Sequence, residues 1–291
     1  MMLLVLLSLT SLGGCTKYSD YFARNVSLPL SAALYSNDTT GCLRKKLNSD
    51  KVKASTKFRA EIEGGSCVGY VVALPRYRMV AVGFNISEPC FRNHQKKSWK
   101  NFLFPLKTWK HKGKVSRFLD GAFEALWEKG GMKDKLQEIM KRRNGHKFKE
   151  VLVTGHSLGG GVASLVAYDI VASGLLKKKD VSLFTLGQVM VGDKDFAEDY
   201  EKQVEDSYRV VRKNDFIPHL PGAVFGYEYN GKEVFYDDPG MESDGESGFK
   251  TCERKDIRKA GCSGSQVEPV GFRQNEEYFS ENVEKYGINC K

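Results

Sequence analysis

The chain has 291 residues, 41% of them apolar and 28% charged, with a formal net charge of +9. That composition can furnish a sizeable core and excludes a disordered or fibrous chain. The positive balance raises the question of an acidic partner, but no helix-turn-helix, zinc-finger spacing or single-strand-binding signature accompanies it, so nucleic acid is set aside.

Met1 to Leu12 form an apolar run that closes in Gly13, Gly14 and Cys15. The run is too short to span a bilayer and reads as a secretory signal peptide over residues 1–15, leaving 16–291 as one mature domain in the extracellular space. A second reading takes Leu12-Gly13-Gly14-Cys15 as a bacterial lipoprotein site with Cys15 lipidated. Without Cys15, an even set remains: Cys42, Cys67, Cys90, Cys252, Cys262 and Cys290. In an exported chain such a set implies disulfides, and spacing alone leaves their pairing open. Sequons at Asn25, Asn37 and Asn85 predict N-glycosylation.

Cys67 to Leu74 and Met79 to Phe84 read as two strands joined by a turn at Pro75 to Arg78. From Glu88 to Asp120 the interior is free of acidic residues, while Lys96, Lys97, Lys100, Lys107, Lys110, Lys112 and Lys114 interleave with Trp99, Phe102, Phe104 and Trp109. Such a stretch suits an anionic lipid surface, or else a solvated face whose aromatics reach the core. Phe118 to Trp127 and Met132 to Met140 have helical apolar spacing. Glu150 to Thr154 is a short buried strand, Leu158 to Ala172 a helix, and Val181 to Gly187 a further strand. Asp193 to Val204 is a helix, Ser207 to Arg212 a strand, and Gly226 to Tyr236, centred on Asn230-Gly231, a hairpin. Strands alternating with helices predict an α/β domain with a mainly parallel sheet covered on both faces.

Gly155-x-Ser157-x-Gly159 falls between a buried strand and a helix, which is the setting of a nucleophile elbow. A serine there is held in a strained turn that lifts its hydroxyl above the sheet, and flanking side chains would collide with that turn. The next amide, Leu158, opens the helix and can stabilise an oxyanion. His156 faces away from a nucleophile so placed.

The run Val153-Thr154-Gly155-His156-Ser157-Leu158-Gly159-Gly160-Gly161 resembles the elbow of the class 3, or fungal-type, lipases of the α/β-hydrolase superfamily. Two later blocks resemble the family in order and spacing. One is Gly187 to Asp193, with Val189-Met190 where Pro-Arg is usual; the other is Asn214 to Pro221, which puts the family's aspartate at Asp215. The likeness runs from about Cys67 to the C-terminus and is closest in tone to secreted animal members. It implies a lipid or ester ligand, Ser157 as nucleophile, oxyanion amides from Leu158 and Phe84, and neither metal nor cofactor. It also implies bridges Cys252–Cys262 and Cys42–Cys290, and so Cys67–Cys90, and a lid at 93–114 that would meet an anionic lipid surface.

The chain departs from the pattern where the base should stand. The family's histidine lies a few residues before a Tyr-Phe pair, and alignment on Tyr278-Phe279 puts Asn275 there. No histidine follows His219. An amide cannot accept a proton as imidazole does, and losing a triad histidine costs on the order of a million-fold in turnover. Glu276 or Glu277 could substitute only if desolvated. The oxyanion loop offers Phe84 where a Ser or Thr hydroxyl is usual, and a glycan on Asn85 would stand near the mouth of the site. Two functions follow: a secreted lipase or carboxylesterase with impaired catalysis, or a non-catalytic protein that keeps the pocket and binds lipid.

Overall fold

The computed structural model describes residues 18–53, 55–63, 65–87, 105–141, 148–237, 241, 248–265 and 273–290. The predicted signal peptide, Cys90 and the first part of the expected lid, 93–104, lie outside the described residues. Eight strands form one sheet: β1 (Thr56–Ile62), β2 (Gly65–Leu74), β3 (Met79–Ser87), β4 (Glu150–His156), β5 (Val181–Leu186), β6 (Asp206–Arg212), β7 (Lys232–Tyr236) and β8 (Phe249–Cys252). Their order across the sheet is their order in the chain. β3 to β7 run parallel, while β1, β2 and β8 add antiparallel edges.

Both faces of this sheet are buried, and alternate side chains supply two cores. Val151 and Val153 of β4 and Val80, Val82 and Phe84 of β3 join the core under the helices α1 (Arg117–Phe123), α2 (Met132–Lys141) and α3 (Leu158–Ala172). Leu152 and Ala81 point the other way, into a second core closed by the helical segment 20–35 and the C-terminal helix Val283–Ile288. This two-sided burial is why β4 and β5 read as unbroken apolar runs rather than alternating ones. The helix α4 (Lys194–Gln203) starts at Asp193, whose carboxylate accepts from Phe196 N at 2.9 Å.

The strand pair 67–84, the elbow strand and α3 lie where the sequence places them, with β2 and β3 extended at their open end. Disulfides join Cys42 to Cys290 and Cys252 to Cys262, as the resemblance implies. Cys67 is buried and makes no disulfide among the described residues; its partnering by Cys90 falls outside them.

Three expectations are corrected. Gly226 to Tyr236 is not a hairpin: Lys232–Tyr236 alone is a strand, paired with β6 on one side and β8 on the other. Asn230-Gly231 is a packed corner instead. The Asn230 side-chain amide donates to Ser164 Oγ at 3.1 Å, its main-chain carbonyl accepts from Arg209 Nε at 2.7 Å, and a Cβ on Gly231 would meet Ser207 Oγ at 2.4 Å. The second correction is Asn85, which is 6% exposed within β3 and so offers no seat for a glycan, whereas Asn25 and Asn37 are exposed.

The third concerns the basic-aromatic segment. Its described part, 105–114, belongs to a hairpin (Leu106–Thr108 with Lys114–Ser116) bolted to the body rather than a lid. Trp109 is buried against Phe123, Tyr168 and Phe196. Lys107 pairs with Asp120, and Lys110 with Glu128 at 2.6 Å and with the buried Asp169 at 2.5 Å. Asp169 also accepts from Trp127 Nε1 and from the Lys133 ammonium, and it bonds His111 Nε2. Burial alone would raise its pKa, yet Lys110, Trp127, His111 and Lys133 outweigh it and hold the carboxyl down at about 2. Lys107 and Lys110 thus neutralise protein carboxylates, while Lys112 and Lys114 are exposed and Lys96, Lys97 and Lys100 lie outside the described residues.

Candidate active site

The turn from β4 into α3 carries Ser157 at φ 57° and ψ −124°, a backbone conformation that costs an L-residue on the order of 1–3 kcal/mol. Ser157 N donates to Leu186 O at 2.9 Å, and Gly160 N to Ser157 O at 3.1 Å, so both neighbouring elements grip the turn. The flanking glycines are sterically required. A Cβ on Gly155 would lie 2.5 Å from Gly159 O, and one on Gly159 would lie 2.2 Å from Phe84 O. That close approach, with Phe84 opposite Gly155 in the β3–β4 ladder, brings the Phe84 main chain against the first turn of α3, where Leu158 begins the helix. The Phe84 side chain is buried in the core and supplies no hydroxyl.

Asp215 follows β6 and is buried. Its Oδ2 accepts from Asn275 Nδ2 at 2.8 Å and from the Tyr278 hydroxyl at 2.5 Å, while Oδ1 accepts from Ile217 N at 3.0 Å. Burial pushes the carboxyl up to about 6, against the pull of Tyr278, Asn275, Ile217 N and Arg212. Asn275 Nδ2 has a second acceptor, Gly187 O at 3.0 Å. Two acceptors on one side fix the amide orientation, because Oδ1 there would face lone pairs. Nδ2 therefore does for Asp215 what the Nδ1–H of a triad imidazole would do. Gly187, at φ 57°, has no room for a side chain: a Cβ would sit 2.0 Å from Asn275 Nδ2.

The elbow and the third position are tied together by His156. Its Nε2 bonds Asn275 O at 2.6 Å, and its Nδ1 pairs with the Tyr35 hydroxyl at 2.8 Å. A carbonyl can only accept, so Nε2 carries the proton and Tyr35 donates to Nδ1. Burial lowers this imidazole to about 4. It braces the site and is committed at both nitrogens. His219 Nδ1 pairs with Tyr229 Oη at 2.7 Å, and the ring is lowered to about 4 by burial and by Arg209. Of the two carboxylates next to Asn275, Glu276 is exposed and Glu277 pairs with Arg212 at 3.3 Å, so neither is desolvated into the role of a base.

Tyr278, Gly187 and Tyr35 were not foreseen as site residues. Nothing in the spacing of Tyr278 says that its hydroxyl reaches Asp215. Among the described residues, one grouping has metal-ligand character, Glu233 with Cys252 and Cys262. Its thiols are joined in a disulfide, and Glu233 accepts from Ser263 N and Oγ.

A strained serine between a parallel strand and a helix, with a buried Asp just after the next strand but one, is the arrangement of an α/β-hydrolase fold. Comparison with known proteins narrows this. Residues 91–225 match the profile of Lipase (class 3). A lipase of Caenorhabditis elegans is 32% identical over 216 residues, which is 73% of this chain and 58% of that protein. A lipase of Rhizomucor miehei is 35% identical over 136 residues, covering 46% of this chain and 36% of its own length. The chain thus spans well under two thirds of these relatives. Among solved structures, a lipase of Rhizopus microsporus superposes with a TM-score of 0.73 at 20% identity, covering 93% of this chain and 91% of its own. The mono- and diacylglycerol lipase of Aspergillus oryzae gives 0.72 at 19% identity, covering 94% and 100%. The chain is thus similar to class 3 lipases, matching their profile over residues 91–225 and sharing their α/β-hydrolase fold.

Proposed function

We propose that the protein binds an ester-bearing lipid in the class 3 lipase site and hydrolyses it feebly, because the general base is gone. The observation that carries this reading is Asn275 Nδ2 shared between Asp215 and Gly187 O, a donor fixed where a base should cycle a proton. Ser157, with the amides of Leu158 and Phe84, would still seat and polarise an ester carbonyl. Attack would lack the proton acceptor that makes a serine hydroxyl nucleophilic. The two hydrogen-bonded histidines and the solvated Glu276 and Glu277 support the same reading. We place the mature chain, 16–291, outside the cell, with glycans on the exposed Asn25 and Asn37; the two disulfides and the apolar N-terminal run favour this.

The test is hydrolysis of short- and long-chain nitrophenyl esters by wild type, Ser157→Ala and Asn275→His. Turnover absent or barely above background in wild type, and rising by about a hundred-fold or more in Asn275→His, is the expected result. Brisk wild-type turnover abolished by Ser157→Ala would mean a working esterase with another base, and the reading fails. Retention of the elbow favours no other function, since packing alone imposes its geometry.

A further inference from the structure

A set of exposed cations that the candidate site does not use lies at the end of the sheet remote from Ser157. β3, β4 and β5 run parallel, and at their N-terminal ends Met79 pairs with Glu150 and Val151 with Val181. Residues leading into these strands therefore share one rim. Arg76 and Arg78 lie in the β2–β3 turn, Lys149 precedes β4, and Lys177 lies in the turn before β5. Lys149 N donates to Arg78 O at 2.9 Å, and Lys53 N donates to Ala73 O at 3.2 Å, which brings Lys51 and Lys53 to the same edge. All six side chains are exposed. Asp50, Glu150, Asp180 and, at the start of parallel β6, Asp206 are acidic neighbours along it, and Lys178 there is paired with Glu205.

Arg78 adopts φ 55°, a left-handed conformation that glycine or asparagine holds at lower cost. The fold tolerates an arginine where turn chemistry alone would choose otherwise. Its neighbours come from successive strands about 4.8 Å apart, so the cations form a row and not a pocket. A row of guanidinium and ammonium groups matches a linear polyanion, and the planar forks of Arg76 and Arg78 match oxyanions with several oxygens.

We propose that this rim docks a sulfated polysaccharide and tethers the protein with Ser157 facing away from the tether. A lipid surface is the poorer occupant. The seven residues of β4 separate the rim from the elbow by about 20 Å, so a membrane bound here would lie on the wrong side of the site. The tether is independent of whether Ser157 performs chemistry.

The experiment uses the full secreted chain and heparin as probe, with desulfated heparin and phosphatidylserine vesicles alongside. The rim variant carries Arg76→Gln, Arg78→Asn, Lys149→Gln and Lys177→Gln. A control of equal net charge carries Lys112→Gln, Lys194→Gln, Lys259→Gln and Lys285→Gln, all exposed and away from the rim. Near-ultraviolet circular dichroism verifies the fold of each. Wild type and control should bind heparin in a salt-sensitive manner and ignore the desulfated chain, and the rim variant should bind about tenfold or more weakly. Equal weakening of both variants would reduce the effect to net charge and overturn the proposal. So would absence of heparin binding by wild type, or vesicle binding that the rim variant loses while heparin binding is unchanged.

Discussion

Replacing Asn275 with Asp tests the contact on which the functional reading stands. The change is isosteric, and it turns a donor shared by Asp215 and Gly187 O into an acceptor facing both. Two ionised carboxylates 2.8 Å apart would repel by about 6 kcal/mol at an effective dielectric near 20. The pair avoids this by holding one proton. With the Asp215 carboxyl already pushed up to about 6, keeping a proton there at pH 7.5 costs roughly 2 kcal/mol, and the stranded Gly187 carbonyl adds about 1 more. The expected deficit is therefore about 3 kcal/mol at pH 7.5. Its sign with pH is fixed: the proton is bound more tightly in the folded pair than in the unfolded chain, so stability is present at low pH and lost as pH rises through the raised folded value. Urea unfolding followed by tryptophan fluorescence should show the deficit, relative to wild type, growing by up to about 1.4 kcal/mol per pH unit from pH 6 to 8. A deficit below about 1 kcal/mol, or one indifferent to pH, would show that Nδ2 does not face Asp215.

Four further outcomes are expected. Ser157→Gly should raise stability by about 1 kcal/mol in the same unfolding assay, because glycine relieves the φ 57° strain. Gly159→Ala should lower it by about 2 kcal/mol or more, since the atom it meets at 2.2 Å is main chain and cannot swing aside. His156 and His219, both lowered to about 4, contribute stability that is present above pH 6.5 and lost as pH falls towards 4, each by at most about 3 kcal/mol. Asp215, raised to about 6, works the other way between about pH 4 and 6, so stability should still rise with pH there, and His156→Gln should flatten the profile. Cys290→Ser opens a bridge that closes 248 residues and should cost up to about 5 kcal/mol by chain entropy, measured as a fall in urea midpoint.

The elements that sequence made legible are those whose signal is local. β4, α3 and β5 announce themselves by apolar runs and small residues, and the elbow by two glycines whose absent Cβ atoms the structure then demands. Asn275 was found by its distance from Tyr278-Phe279, a spacing within one short segment. What escaped depends on contacts between distant segments. Asn230-Gly231 has the composition of a tight hairpin turn, yet long-range bonds from Arg209 and to Ser164 pull it into a corner. Lys107 and Lys110 look solvent-borne in sequence because their counterions, Asp120, Glu128 and Asp169, lie from thirteen to fifty-nine positions away. Tyr278 and Tyr35 enter the site through hydroxyls whose targets no spacing rule identifies.

The persistence of Ser157 in its strained turn says less about catalysis than it first suggests. Gly155, Gly159 and the Phe84 main chain would impose that turn on any residue at 157, because the helix and β3 approach too closely for another path. Asp215 is held for a different reason. Asp215 keeps Tyr278 and Ile217 N as donors, but losing the one at 275 would still leave a buried carboxylate short of a bond at a cost of about 1–3 kcal/mol, and an amide fills that place as well as an imidazole. Asparagine thus meets the structural demand of this position, and under the proposed function it cannot meet the chemical demand of a base. Histidine could be lost here with little penalty to stability, whereas loss of Asp215, Gly155 or Gly159 would damage the fold itself. On the proposed reading, the scaffold can therefore stand intact whether or not Ser157 turns over an ester.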